Sequence, residues 1–177
     1  MRAFIGDEPE IEYLAGRAVA KMSPKHRHAV IQGSLWAVLR RLGRGYGTVG
    51  TEWRFRLSEG TQTAGKTHLV PDVAFVSYER WRPLSDPERQ EPPFAPDVAI
   101  EVRSPGDRNA DVMWKIRAYL DAGASLVLDV FPEQRRIVAY AAAGALEYDE
   151  GDCFECSSVP WLRFDVREAF ADLEPGE

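Results

Sequence analysis

Two short stretches set a carboxylate into an otherwise apolar strand pattern. In "LVPDVAFV", Asp72 shares its face with Val70, Ala74 and Val76. In "PDVAIEVRSP", Glu101 lies on one face with Asp97, Ala99 and Arg103, while Val98, Ile100 and Val102 take the other. An acid on an apolar face is costly unless it is paired or metal-bound. Two such acids that converge can hold a hard divalent cation through oxygen. That ion lowers the pKa of water and offsets charge building on a phosphate. A nearby side-chain cation would then orient the attacking water or stabilise the transition state. Arg103, beside Glu101, and Lys115, in the helical stretch that follows, are the two candidates. Lys115 lies roughly 40° around the helix from Tyr119 and roughly 80° from Gly123, on the border of an apolar stripe. From there its stem can cover the sheet and its head can reach a strand end.

Each residue also has an ordinary structural explanation. Glu101 fits the wet face of a half-exposed strand, and Asp72 a strand-end acid after Pro71. Lys115 fits a snorkelling surface lysine, and Arg103 an ion-pair partner for an acid such as Glu101.

The elements that must position these groups follow from periodicity. Residues 10–22 read as a hairpin around Ala15-Gly16, with Ser23 as N-cap and Pro24 at the first helical position. Val30, Ile31, Ser34, Leu35, Val38, Leu39 and Leu42 predict an amphipathic helix over 26–42, ended by Gly43, Gly45 and Gly47. "TVGTEWRFRL", "LVPDVAFVS" and "PDVAIEVRS" predict three strands. "SEGTQTAGKTH" reads as a polar loop and "YERWRPLSDPERQEPPF" as a surface insertion. "RNADVMWKIRAYLDAG" gives a helix with Val112, Ile116, Tyr119 and Leu120 on one stripe. The nearly continuous apolar run "SLVLDVF" suits a central strand. A C-terminal hairpin, "RRIVAYAA" with "ALEYDE", and a short closing helix, "VREAFADL", complete the chain. The expected fold is α/β (α+β), a mixed sheet flanked by helices in a single domain over 1–177, its core spanning about 10–172.

Composition narrows the function classes. No apolar run approaches the roughly 20 residues that span a bilayer, and "MRAFIGDEPE" lacks the apolar segment of a signal peptide. A cytoplasmic, bacterial-style protein without a membrane partner is therefore expected. The only cysteines, Cys153 and Cys156, lack a second Cys/His pair nearby for zinc and are expected to be reduced, structural thiols. The net charge is −6, yet residues 17–56 hold nine Lys and Arg against the single acid Glu52. Such a local excess suits a phosphate backbone; a solvated helix face with an exposed strand would read the same way.

Taken in order, "VPDVAFV", "PDVAIEVRSP" and "DVMWKIRAYLDAG" resemble the PD-(D/E)XK nuclease superfamily, and within it the Uma-type family of small bacterial restriction-endonuclease-like proteins. "EYLAGRAVAKMSPKHRHAVIQGSLWAVLRRLG" resembles that family's hairpin, Met-Ser-Pro turn and His-led helix, and "LVLDVFPEQRRIVAY" its strand and hairpin. The likeness spans roughly residues 10–172. "E-V-x-S-P" followed by "K-x-x-x-Y-x-x-x-G" is fairly specific; Pro-Asp alone is weak.

The resemblance implies a restriction-endonuclease-like fold and hydrolysis of phosphodiester bonds with Mg²⁺ or Mn²⁺. It implies metal ligation by Asp72, Glu101 and the carbonyl of Val102, and catalysis assisted by Lys115. Two positions depart from the pattern. Arg103 stands where the superfamily has its lysine, and "LVLDVF" lacks an aromatic before its acid. His28 matches the family's helix-leading histidine and could reach the site with Gln32, one turn on; a contact with backbone or solvent is the alternative. The expected partners are nucleic acid, DNA first, and a second copy of the chain, since cutting both strands of a two-fold duplex suits a homodimer. The rival reading is a nuclease-fold module with weak or lost chemistry that serves in nucleic-acid binding or assembly.

Overall fold

The structure is a computed structural model and describes residues 11–14, 16–21, 25–57 and 67–173. Its elements, in chain order, are β1 (Ile11–Leu14), β2 (Arg17–Ala20), α1 (His26–Leu42), β3 (Gly47–Thr51), β4 (Phe55–Leu57), β5 (Thr67–Leu69) and β6 (Val73–Ser77). Short helices α2 (Tyr78–Trp81) and α3 (Asp86–Gln90) precede β7 (Val98–Val102), α4 (Asn109–Asp121) and β8 (Leu126–Phe131). The chain continues through β9 (Arg136–Ala141), β10 (Gly144–Asp149), β11 (Cys153–Phe154) and β12 (Phe164–Asp165), then two 3₁₀ turns over Val166–Ala169 and Ala171–Leu173.

Six strands form the main sheet in the order β10-β9-β8-β7-β6-β3. Only β7 and β8 run parallel, because α4 carries the chain back between them; the other neighbours are antiparallel. A second sheet, β2-β1-β5-β4, forms a separate layer. Period-two alternation gives the main sheet two buried faces. Val98, Ile100 and Val102, with Leu126, Leu128 and Val130, pack against Ile31, Leu35 and Leu39 of α1. Ala99 and Val127 join Val112, Ile116 and Tyr119 of α4, with Leu14, Phe55 and Leu69 of the second sheet. Glu101 and Asp129, opposite one another in the β7–β8 register, belong to this second face by alternation.

Several expected elements shift, each for a local reason. "TVGTEWRFRL" is two strands in different sheets. Glu52, at φ 49°, adopts the left-handed conformation that a non-glycine residue rarely takes and turns the chain out of β3. "LVPDVAFVS" also splits, because Pro71 offers no N–H to a ladder between β5 and β6. Lys25, not Ser23, is the N-cap of α1, and its side chain makes no capping bond. Ser23 and Pro24 lie outside the described residues, as do residues 58–66 of the loop read over 58–68; its last two residues, Thr67 and His68, belong instead to β5, paired with β4 and β1. The insertion at 78–94 contains α2 and α3, the latter opened by a Ser85–Glu88 capping box. The closing helix is a pair of 3₁₀ turns. Cys153 and Cys156 are free thiols.

Gly47 is fixed by close approach. A Cβ there would stand 2.2 Å from the Val76 carbonyl oxygen and 2.5 Å from the Phe75 ring. One of these contacts is backbone and cannot swing aside, so Gly47→Ala should cost about 1–3 kcal/mol by overpacking. A urea midpoint equal to that of the parent would contradict this.

Candidate active site

Asp72 closes the β6–β7 junction. Its N–H donates to the Ile100 carbonyl at 3.0 Å, and its Oδ2 accepts the Val102 N–H at 2.6 Å. The carboxylate thus takes the place of a ladder carbonyl just where Pro71 has ended regular pairing. The Asp72 carbonyl accepts from Gln32 Nε2 at 2.9 Å and the Glu52 N–H at 3.3 Å. His28 Nε2 lies 3.2 Å from Asp72 Oδ2, while its buried Nδ1 has no hydrogen-bond partner. Lys21 Nζ lies 2.9 Å from Asp72 Oδ1 and 2.8 Å from Glu52 Oε2. Asp72 is 2% exposed. Burial alone would raise its pKa, but Lys21, His28 and the Val102 N–H together hold it below the ordinary carboxylate range. Burial alone would lower the Lys21 pKa; Asp72, Glu101 and Glu52 override that and raise it. His28 is likewise raised, burial being outweighed by Asp72.

Glu101 is held from the other side. Its Oε2 lies 3.0 Å from Lys115 Nζ, and its Oε1 accepts the Tyr119 hydroxyl at 2.9 Å. Lys115 also meets Glu12 Oε2 at 2.6 Å, and Glu12 Oε1 accepts the Val70 N–H at 2.9 Å. Glu101 is 6% exposed. Burial pushes its pKa up to about 7; Lys115 opposes this, while Asp72 and Glu12 add to it. Lys115 stays protonated, its pKa raised above the ordinary lysine value because Glu101 and Glu12 outweigh its burial.

Asp72, Glu101, Lys115 and His28 are therefore brought to one end of the main sheet. Glu101 is buried rather than on a wet face, and Lys115 is a buried ion-pair member rather than a surface lysine. Arg103 is drawn elsewhere. Its Nε and Nη2 grip the two oxygens of Asp129 at 2.7 Å each, and Nη2 also reaches Asn109 Oδ1 at 3.1 Å. Glu101 is thus not its partner. Asp129 was the stronger attractor because it is fully buried on the same face, directly across from Glu101.

Sequence reasoning missed Glu12, Lys21, Glu52, Tyr119 and Asp129. Glu12 and Asp129 each break an inward-facing strand pattern, the same signal that marks Asp72 and Glu101. Tyr119 follows Lys115 by four residues, so both lie over one helix face; its hydroxyl, not only its ring, is used. Lys21 and Glu52 gave no local signal: Lys21 lies just past the end of β2, and an unusual backbone angle aims Glu52. The basic stretch is also less open than its count suggests. Arg17 pairs with Asp111, Lys21 with Glu52 and Asp72, Arg27 with Glu133, and Arg41 with Glu168. Arg40 and Arg41, in the last turn of α1, and Arg44, just after it, line a cavity of about 530 Å³.

Among the described residues, no three His, Cys, Asp or Glu side chains converge as a metal cluster. Mg²⁺ does not require one, since it commonly uses one or two carboxylates and completes its shell with water and phosphate. The local charge fits a divalent ion. Four carboxylates, Glu12, Glu52, Asp72 and Glu101, face the two ammonium groups of Lys21 and Lys115. A divalent ion placed among them would favour the ionised form of Glu101, which burial otherwise disfavours.

A mixed sheet with acids on adjoining strands, and a lysine delivered by the crossover helix, defines a restriction-endonuclease-like fold. The chain belongs to the Uma2 family, described as "Putative restriction endonuclease", whose profile matches residues 1–167. The crystal structure of a "putative nuclease belonging to DUF820" from Anabaena variabilis superposes with a TM-score of 0.81 at 20% identity, covering 95% of this chain and 93% of that one. No curated protein matches. Among the described residues, no helix is long and apolar enough to cross a membrane.

Proposed function

We propose that this protein is a metal-dependent endonuclease that hydrolyses phosphodiester bonds of nucleic acid, DNA first, and acts as a homodimer. The observation that carries this reading is the pair of buried acids, Glu101 on β7 and Asp72 immediately before the adjoining β6, with Lys115 bonded to Glu101. Asp72, Glu101 and the Val102 carbonyl would hold Mg²⁺ or Mn²⁺. When bound, such an ion supplies Lewis acidity at the phosphate and makes water more acidic.

The chain's own residues do the rest. The Val102 N–H and His28 fix the Asp72 carboxylate, and Tyr119 fixes Glu101. Lys115, kept charged by Glu101 and Glu12, offers a preorganised ammonium to the phosphate oxygens or orients the attacking water. Its raised pKa supports this role over that of a base. Arg40 and Arg44 would meet backbone phosphates. Arg40 is twelve residues along α1 from His28, or about 18 Å, so these contacts would fall several nucleotides from the cut.

Cleavage of supercoiled plasmid with Mn²⁺ or Mg²⁺, against EDTA, tests the reading. Nicked or linear product is expected from the parent, with none from Asp72→Asn or in EDTA. A parent chain that binds DNA but never cuts it would point to the non-catalytic module instead.

A further inference from the structure

Lys21 already occupies the position of a bound cation. Its Nζ sits in a cage of three oxygens: Asp72 Oδ1 at 2.9 Å, Glu52 Oε2 at 2.8 Å and the Val70 carbonyl at 2.7 Å. These are hard oxygen donors, the kind a divalent ion takes. The Lys21 side chain is only 13% exposed, so the ammonium has exchanged most of its water for this cage. The cage is also built at some cost, since Glu52 reaches it from a left-handed backbone at φ 49°. The other Asp72 oxygen is committed to the Val102 N–H and His28. Lys21 therefore blocks the Asp72 oxygen that a metal ion would need.

We propose that Lys21 is a resident counter-cation, which a divalent ion must displace from Asp72 before the site can work. The proposal rests on the reading of Asp72 as a metal ligand. Displacement makes metal occupancy a competition between two cations for one carboxylate oxygen. The apoprotein keeps Asp72 neutralised and folded, and the site loads only when free metal is high enough to evict the lysine. Glu52 remains as the acceptor for the ammonium when it swings out.

Two measurements on the full chain test this, with Mn²⁺ alone as the probe. The first is Mn²⁺ affinity by calorimetry for the parent, Lys21→Met and Asp72→Asn. Lys21→Met should bind Mn²⁺ at least about tenfold more tightly, since a buried positive charge is removed from beside the ion. The second uses the parent alone and does not depend on the variant folding: acetylation of Lys21, read by mass spectrometry, should speed up when Mn²⁺ is added. Equal or weaker binding by Lys21→Met, with acetylation unchanged or slowed, would overturn the proposal. The nuclease reading would survive that result if Asp72→Asn still abolished binding. No Mn²⁺ binding by parent or Lys21→Met would overturn both.

Discussion

Lys115→Ala should slow single-turnover cleavage by on the order of 10²–10³, the usual loss when one preorganised charge stabiliser is removed. Lys115 is placed by α4, which returns the chain from β7 to β8 and lays the lysine over the end of β7. There it bonds Glu101 at 3.0 Å and Glu12 at 2.6 Å. Both acids keep it charged, so its contribution is a fixed positive charge. Lys115→Arg should therefore retain more activity than Lys115→Ala, since arginine keeps the charge but cannot act as a base. The alanine variant leaves Glu12 and Glu101 buried without a counter-charge, so circular dichroism and Mn²⁺ binding must accompany the rates. A folded, metal-binding Lys115→Ala that cuts at the parental rate would remove Lys115 from the mechanism. If Arg103→Ala, still folded, then abolished cleavage, the cation would be Arg103.

Arg103→Ala is expected to act on stability instead, costing about 3 kcal/mol, the lower end of the range for breaking a buried ion pair. The pair is bidentate, and Asp129 is completely buried. Removing the guanidinium strands a carboxylate on β8, between β7 and β9, without its two hydrogen bonds. The lower end is chosen because Nη2 extends to Asn109 at the surface. The cost should shrink when the acid is removed too: Arg103→Met with Asp129→Leu should recover most of the stability, because an apolar pair of similar volume carries no desolvation penalty. Urea unfolding of the two singles and the double gives the coupling directly. A loss under about 1 kcal/mol for Arg103→Ala would place the pair among solvent-screened surface bridges.

The contrast between these two cations shows what was legible in the sequence. Periodicity located α1 to its ends, and α4 and the central β8, because each has a long apolar pattern and a clear stop. Period-two alternation flagged Asp72 and Glu101, and helical geometry put Lys115 at the edge of its stripe, within reach. The breaks at Glu52 and Pro71 were harder. Both stretches alternate well enough to be read as single strands, and what separates them into two sheets is a backbone angle and a missing N–H. Partner choice was the least legible. Arg103 adjoins Glu101 in sequence, yet its guanidinium turns to Asp129, 26 residues away, because register across a parallel pair decides which acid it meets. The basic stretch of 17–56 was legible as a count but not as free charge: Arg17, Lys21, Arg27 and Arg41 meet acids at 52, 72, 111, 133 and 168.

The second sheet adds a consequence for how the molecule comes into being. β1 closes onto β5, with Glu12 accepting the Val70 N–H across 58 residues, and Arg17 of β2 reaches Asp111 of α4 across 94. Contacts of such sequence separation raise the contact order and slow folding as a whole. The ammonium and carboxylate groups of the site therefore come from segments far apart in the chain, Glu12 and Lys21 near one end and Glu101 and Lys115 beyond the middle. A nascent chain still emerging in order from its N-terminus holds Glu12 and Lys21 long before it holds Glu101 and Lys115. On the proposed reading, the site's groups cannot all be present before α4 has been synthesised.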